Sequence, residues 1–277
     1  MAGRGRFFKV AHWILIGLVV VWSLAPYVWT LFTSFKTEGE LYQFPVTYWP
    51  HTPTIVNYIQ VFTQNPFGRF LLNSTIVTVA STVLCLFIGS LAAYAFARLK
   101  FRGREILLIG LLVVAMIPLI TVIVPLYILV RNLGLLNSYL GLIAPYITYS
   151  LPVAIFILTA FFREIPHELE EAALIDGCTR LNTLWRIIAP LAAPGLITAG
   201  IIVFVYTWNE FLVALTLTST TDVRTITVGI ALYRGEFTFP WGVISAAVTL
   251  ATIPIMTLIL LGQRLVIRGL TAGAVKG

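Results

Sequence analysis

Charged residues and cysteines are scarce in this 277-residue chain, and both shortages exclude protein classes. Asp, Glu, Lys and Arg make up 10% of the residues and hydrophobic residues 59%, whereas soluble domains are about a quarter charged. An ordinary soluble globule and an intrinsically disordered chain are therefore excluded. The two cysteines, Cys85 and Cys178, are too few for a disulfide framework. The chain is better counted in membrane spans than in soluble domains.

Residue patterns that mark catalytic and metal sites are also absent. No G-x-x-x-x-G-K-[ST] sequence occurs, so the chain lacks a phosphate-binding loop of that kind. No G-x-S-x-G nucleophile motif is present, and the three histidines lack metal-ligand spacing. No basic run carries interleaved aromatic residues for base stacking, so nucleic acid is not an expected partner. We predict a chain that is not an enzyme and that binds no metal or cofactor itself.

Long uncharged runs are what the sequence has in quantity. Six of them exceed the roughly 18 apolar residues that make a candidate membrane span. The predicted spans are about 10–32, 70–97, 106–130, 139–162, 195–217 and 241–261. A seventh uncharged run, within residues 36–69, is interrupted by prolines and amides, and such backbone cannot satisfy its hydrogen bonds in lipid. The sequence predicts an all-α integral membrane protein, with residues 1–277 forming a single domain of six transmembrane helices.

The distribution of basic residues orients these spans. Because positively charged loops stay in the cytoplasm, the side with more Lys and Arg is predicted to be cytoplasmic. Only five of the 18 basic residues lie on the other side, namely Lys36, Arg69, Arg131, Arg224 and Arg234. We therefore predict a plasma (inner) membrane protein with both termini, including the tail 264–277, in the cytoplasm. Loop 36–69 is then extracytoplasmic, with a short helix near residues 55–62.

The loop between the fourth and fifth spans, residues 163–190, carries the most informative pattern. Pro166 suits the first turn of a helix, acidic residues follow it, and Gly177 suits the left-handed position after a helix end. The pattern predicts an amphipathic helix over about 167–176 and a basic one over about 180–188. The residues alone leave two interpretations open. The first helix is either an ordinary solvated one or one that docks on a partner through small residues and carboxylates.

Part of this loop resembles a signature of permease subunits of ABC importers. That signature is E-A-A-x3-G-x9-I-x-L-P, and the chain matches it from Glu171 through Gly177 and Ile187 to Pro190, with Ala189 in place of Leu. Further segments resemble the carbohydrate branch of the superfamily, in particular the MalG-like permeases of maltose and trehalose importers. These segments are Asn57-Tyr58, Asn73-Ser74, Ala92-Ala93-Tyr94-Ala95, Pro118 with Pro125, Trp208-Asn209-Glu210-Phe211 and the tail from Gly269.

The resemblance implies a function and a set of partners. The chain would be a non-catalytic permease subunit that moves a sugar, such as trehalose or maltose, into the cytoplasm by alternating access. Its partners would be membrane lipid, a second, MalF-like permease, an extracytoplasmic sugar-binding protein and two ATPase subunits that bind ATP and Mg. The first loop helix would be the coupling helix that docks into an ATPase. The residues implied in that coupling are Glu170, Glu171, Ala172, Ala173, Asp176 and Gly177.

Glu210 is the only acidic residue within a predicted span. A carboxylate there costs about 2.5–3.5 kcal/mol on insertion scales, so it should face protein or water. On a continuous helix it would share a face with Tyr206 and Asn209, and aromatic and hydrogen-bonding side chains suit sugar hydroxyls. Two roles stay open. The three residues line the substrate pathway, or Glu210 bonds a neighbouring helix and stabilises packing.

Other functions compete with sugar import. An ion-coupled secondary transporter would use Glu210 as its proton site, but no internal repeat is evident and the loop signature would be unexplained. A membrane enzyme would need a second polar catalytic group within a span, and none is seen. Within the same superfamily, a permease for glycerol phosphate or another small polar solute is the alternative, because those permeases share the loop signature.

Overall fold

The structure is a computed structural model that describes residues 2–233 and 239–272. Within these ranges every regular element is helical, which confirms the predicted all-α class. In chain order the helices begin with α1 (Ala2–Ser34), α2 (Glu38–Leu41), α3 (Val56–Thr63), α4 (Phe67–Arg98), α5 (Arg104–Ala115), α6 (Leu119–Asn132) and α7 (Tyr139–Glu164). They are followed by α8 (His167–Ile175), α9 (Arg180–Thr183), a π-helical turn (Leu184–Ile188), α10 (Ala189–Leu191), α11 (Ala193–Asn209), α12 (Leu212–Leu217), α13 (Ile226–Ala231) and α14 (Trp241–Ala272).

The chain divides into two compact units. The first unit combines residues 1–67 with 230–253, and the second combines 68–229 with 254–277. The single domain 1–277 stays a prediction. In the first unit, the predicted short helix near 55–62 is confirmed as α3, Val56–Thr63. The apolar α1 leaves the whole of its most hydrophobic stretch uncovered.

Four helices in the described part of the chain are long and apolar enough to cross a membrane. They are Ala11–Ser34, Phe67–Arg98, Tyr139–Glu164 and Trp241–Gln263. Two further pairs reach that length together but are sharply bent, α5 with α6 by 89° and Arg180–Leu191 with α11 by 83°. The count is therefore four, or up to six if each bent pair is one span.

Two of the predicted spans are not continuous helices. The span predicted over 106–130 is interrupted between Ala115 and Leu119. Pro118 has no N–H to donate and forces the residue before it out of the helical region, and its own backbone is extended. The span predicted over 195–217 is interrupted at Glu210, where the backbone is again extended. A count of uncharged residues measures length, and it does not detect such breaks.

The second unit contains the apolar cores that position the site residues. One core packs α4, α6, α7 and α12 around the fully buried Tyr146 and Leu142. Another packs α4 and α7 against the segment after α8, with Phe162 and Ile188 at its centre. Ser138 begins α7, since its hydroxyl accepts a bond from the Gly141 N–H at 3.0 Å. The first core holds α12 against α7, and the second packs the end of α7, just before α8, against α4.

Candidate functional site

The loop helix predicted over about 167–176 is present as α8, which begins just after Pro166 and ends at Ile175. Its end has the geometry that the sequence predicts. Gly177 adopts φ +84°, a left-handed conformation that suits glycine. The N–H of Gly177 donates to Leu174 O at 3.1 Å, and the N–H of Cys178 donates to Ala173 O at 2.9 Å. This bond pair is the Schellman cap, so α8 is a short helix with a defined stop.

One face of α8 is fixed to the last turn of α4. Glu170 and Ala173 are buried on this face. Glu170 Oε2 lies 3.3 Å from Arg98 Nε as an ion pair, without hydrogen-bond geometry. Tyr94 donates its hydroxyl to the other oxygen of Glu170, and Arg98 donates to Ile165 O at 2.8 Å. Two residues of α4 therefore hold the start of α8 in place.

Glu170, which the resemblance implies in ATPase coupling, is turned inward: only 8% of it is exposed, and its carboxylate contacts Arg98 and Tyr94. Its part in coupling stays a prediction. Ala173 is likewise turned inward. A helix of nine residues cannot present all of the implied coupling residues on one side, because adjacent residues lie about 100° apart.

The opposite face of α8 is exposed and combines carboxylates with apolar surface. Glu171, Ala172, Asp176 and Gly177 all lie on it. Ile175 joins them and is 85% exposed. Sequence reasoning missed Ile175, although its position four residues after Glu171 places it on the same side of a helix. An exposed β-branched residue between carboxylates gives this face both an apolar and a charged contact.

Glu210 lies at the break between α11 and α12 and is buried. Its carboxylate accepts the N–H of Val213 at 3.0 and 3.1 Å and that of Ala214 at 3.3 Å. These are donors of the first turn of α12 that have no partner within the helix. Tyr146 of α7 donates its hydroxyl to Glu210 Oε2 at 2.8 Å. Glu210 therefore caps α12 and ties it to α7.

Tyr206, Asn209 and Glu210 do not share a helix face, because α11 ends at Asn209. Asn209 is exposed and donates to its own Val205 O at 2.8 Å. Tyr206 is 41% exposed and lines a cavity of about 150 Å³ together with Tyr149 of α7. The contacts fit the packing interpretation for Glu210. The pathway role of Tyr206 and Asn209 stays a prediction.

Tyr146 is the hydrogen-bond partner of Glu210 that could not be identified from the sequence. It lies 64 residues from Glu210, and no pattern along the chain links the two positions. Its burial, at 1% exposure, places the hydroxyl in apolar surroundings where a partner is required. A tyrosine within an apolar span is a weak signal of such a pair, because most tyrosines in spans have other roles.

In the described residues, several long apolar helices, two bent helix pairs and a capped loop helix form the architecture of a polytopic membrane protein. Residues 85–272 match the family model described as the inner membrane component of binding-protein-dependent transport systems. The chain belongs to this family. As a member, it is the permease of an ABC transporter. It is a non-catalytic membrane subunit, and ATP is hydrolysed by a partner ATPase.

Curated relatives are similar over nearly the whole chain. The sulfoquinovosyl glycerol transport system permease protein SmoH of Agrobacterium fabrum is 48% identical over 99% of this chain and 97% of its own. The trehalose transport system permease protein SugB of Mycobacterium tuberculosis is 42% identical over 97% and 98%. The trehalose/maltose transport system permease protein MalG of Thermococcus litoralis is 38% identical over 95% and 96%.

A solved structure has the same fold. It is a crystal structure of a bacterial ABC transporter involved in the import of the acidic polysaccharide alginate. One of its chains superimposes with a TM-score of 0.81 at 22% identity, covering 94% of this chain and 96% of that one. At this identity the likeness shows the fold and does not bear on the substrate.

Proposed function

We propose that this chain is the permease subunit of a sugar-importing ABC transporter and that its substrate is a di- or oligosaccharide such as trehalose or maltose. The observation that carries the proposal is the end-to-end similarity to permeases named for trehalose and maltose. Family membership removes the alternatives of an ion-coupled transporter acting alone and of a membrane enzyme. Sulfoquinovosyl glycerol is the second candidate substrate, because the SmoH permease is 48% identical.

The coupling role belongs to α8. Its exposed face would dock on an ATPase subunit, with Ile175 and Ala172 supplying apolar contact and Glu171 and Asp176 supplying charge. Glu170 takes a different part, since its bonds to Arg98 and Tyr94 connect α8 to α4. A force that an ATPase subunit exerts on the exposed face of α8 would then be transmitted to α4 and would not merely unfold the loop around α8. ATP and Mg would be bound by the ATPase, with no cofactor in this chain.

The remaining partners follow from the proposed class. A second, MalF-like permease would complete the pore, two ATPases would bind in the cytoplasm, and an extracytoplasmic sugar-binding protein would deliver the substrate. Both termini would be cytoplasmic. The uncovered apolar stretch of α1 suits lipid or the second permease. Tyr206 and Asn209 would line the pathway, with Glu210 holding the segment after them.

The test compares two glycine variants that differ only in location. Gly177 and Gly103 have φ of +84° and +83°, and neither has an atom within 4 Å of an added Cβ. Both lie on the predicted cytoplasmic side, but Gly103 lies outside α8. We expect tagged wild type to copurify with an ATPase and a second permease. Gly177→Asp should lose most of the ATPase and keep the permease, while Gly103→Asp keeps both.

Three outcomes contradict parts of the proposal. Equal loss of ATPase from both glycine variants would show that α8 has no special role. Uptake into proteoliposomes by the copurified complex, supplied with its binding protein, decides the substrate. We expect ATP-dependent uptake of labelled trehalose or maltose, and uptake of sulfoquinovosyl glycerol alone would replace that assignment. Uptake by the chain alone without ATP would overturn the importer interpretation itself.

A further inference from the structure

The first unit contains an open cavity of about 730 Å³ that the transport mechanism above does not use. Its walls come from α2, α3 and the start of α14. It therefore lies beside the predicted extracytoplasmic loop, which contains α2 and α3. The side chains that matter for its chemistry are Glu38, Tyr42, Gln60, Gln64, Phe239 and Trp241. A volume of this size is typical of sites for small molecules.

Specific contacts hold the walls of the cavity together. The amide of Asn57 in α3 donates to Ser34 O at 2.9 Å and to Lys36 O at 2.8 Å. Gly242 packs directly on that amide, and a Cβ there would lie 2.6 Å from Asn57 Oδ1. Across the cavity, Tyr42 donates its hydroxyl to Phe239 O at 2.7 Å. The cavity is therefore a built feature of the unit, with α3 and α14 fixed at close approach.

The lining combines an aromatic platform with side-chain amides. The rings of Phe239 and Trp241 are stacked, with centroids 5.6 Å apart and an interplanar angle of 29°. They are 59% and 50% exposed, so each ring keeps exposed surface beside the stacking contact. Gln60 on α3 and Gln64, which follows the last residue of that helix, offer amide donors and acceptors. Apolar ring faces bind the C–H face of a sugar, and amides bind its hydroxyls.

The charge of the lining selects among sugars. Among the described residues that line the cavity, Glu38 is the charged one, and its side chain is exposed. Lys36, which comes just before α2, is 2% exposed. Its ammonium lies 4.7 Å from the Trp29 ring centroid and donates to Thr47 O. Among the described residues the lining thus offers a carboxylate and no available cation, an arrangement that disfavours sulfonate or carboxylate groups and accepts bonds from neutral hydroxyls.

We propose that this cavity is an entry site that binds a neutral mono- or disaccharide before it reaches the membrane interior. The sugar would stack on Phe239 and Trp241 and bond to Gln60, Gln64 and Glu38. The proposal rests on the proposed function for the sugar that arrives, but the binding itself does not require transport. Occupation by a polypeptide segment of the binding protein is the competing outcome.

The experiment measures sugar binding to the purified transporter in nanodiscs, without ATP and without the binding protein. Saturation-transfer NMR detects trehalose and maltose, with glucose 6-sulfate as the anionic probe. Trp241→Ala and Gln60→Ala remove lining groups. Trp49→Ala and Gln43→Ala are matched controls, because both residues are exposed in the same unit and lie outside the cavity. We expect both lining variants to weaken binding about tenfold, as loss of a ring contact or of a bonded amide predicts, and the controls to bind like wild type.

The outcomes separate this site from the function of the chain. Unchanged binding in Trp241→Ala, or tighter binding of glucose 6-sulfate than of trehalose, overturns the proposal. Absent binding in wild type, together with ATP-dependent sugar uptake, also overturns it and leaves the proposed function standing. Sugar binding that needs Trp241 in a transporter that imports no sugar supports the site and overturns the function. If the Gln64→Cys variant cross-links to the binding protein and sugar does not bind, the occupant is polypeptide and the proposal is wrong.

Discussion

Replacing Glu170 by Gln should loosen α8 from α4 while leaving its exposed face unchanged. Glutamine keeps the size of the side chain and an oxygen that accepts the Tyr94 hydroxyl, but it removes the charge opposite Arg98. The side chains of Arg98 and Glu170 are 1% and 10% exposed, so Arg98 would stay buried without a counter-charge. Breaking a buried pair by changing one partner costs about 3–5 kcal/mol.

The measurement is the free energy of unfolding of the purified chain in mixed micelles, titrated with a denaturing detergent. Glu171→Gln is the matched control, because Glu171 is the neighbouring glutamate and is exposed. Surface changes of this kind stay within about 0.5 kcal/mol. We expect Glu170→Gln to lower the free energy of unfolding by several times the effect of Glu171→Gln.

A double replacement separates the charge from the shape of the site. Replacing Glu170 and Arg98 together by Met should recover most of the loss, because an apolar pair in place of a buried ion pair is often neutral or stabilising. The reasoning would be refuted if the two single glutamine variants had equal free energies of unfolding. It would also be refuted if the double variant lost as much free energy of unfolding as Glu170→Met and Arg98→Met lose in sum.

Three further predictions concern Glu210, Gly242 and Glu40. Glu210→Ala should reduce the yield of folded chain, because the Tyr146 hydroxyl and the first N–H groups of α12 lose their partners, at a cost of about 1–3 kcal/mol each. It should leave the KM for sugar uptake unchanged, whereas Tyr206→Ala should raise that KM. Gly242→Ala should lower the free energy of unfolding by about 1–3 kcal/mol through overpacking against Asn57, and Gly39→Ala, with no atom within 4 Å of an added Cβ, should not. Burial raises the pKa of Glu40, but bonds from the His51 N–H and the Thr47 hydroxyl outweigh it and hold the pKa below its usual value. The ionised carboxylate of Glu40 therefore stabilises the folded chain at pH values above the ordinary Glu pKa, and this contribution is lost as the pH falls through the lowered pKa. The melting temperatures of wild type and Glu40→Gln, measured from neutral to acid pH, should converge at the acid end.

The parts of the structure that sequence reasoning predicted correctly are those with local signals. Pro166 and Gly177 mark the two ends of α8 because the geometry of each residue acts on its own turn of backbone. The short helix in loop 36–69 was predicted to within one residue, since prolines bound it on both sides. These features need no knowledge of the rest of the chain, so one sequence is enough to find them.

The features that were missed depend on residues far apart in the chain. The break at Glu210 has no proline or glycine to signal it, and it is stabilised by bonds to α7 and to the first turn of α12. Tyr94 and Glu170 are 76 residues apart, so no periodicity shows which of two adjacent glutamates turns inward. Pro118 did carry a local signal for the break between α5 and α6, but a count of uncharged length takes no account of it.

Glu170, which the resemblance implies in ATPase coupling, and Glu210, for which the sequence leaves a pathway and a packing role open, have similar surroundings in the structure. Glu170 and Glu210 each lie at a helix junction, each accepts a tyrosine hydroxyl from a long apolar helix, and each connects a short helix to it. In a chain with only 11 acidic residues, a buried carboxylate is costly unless several donors surround it. That requirement fixes the short helix at a defined angle, because the donors must converge on two oxygen atoms. We therefore expect a movement of α8 to carry α4 with it and a movement of α12 to carry α7, because a buried carboxylate joins each pair.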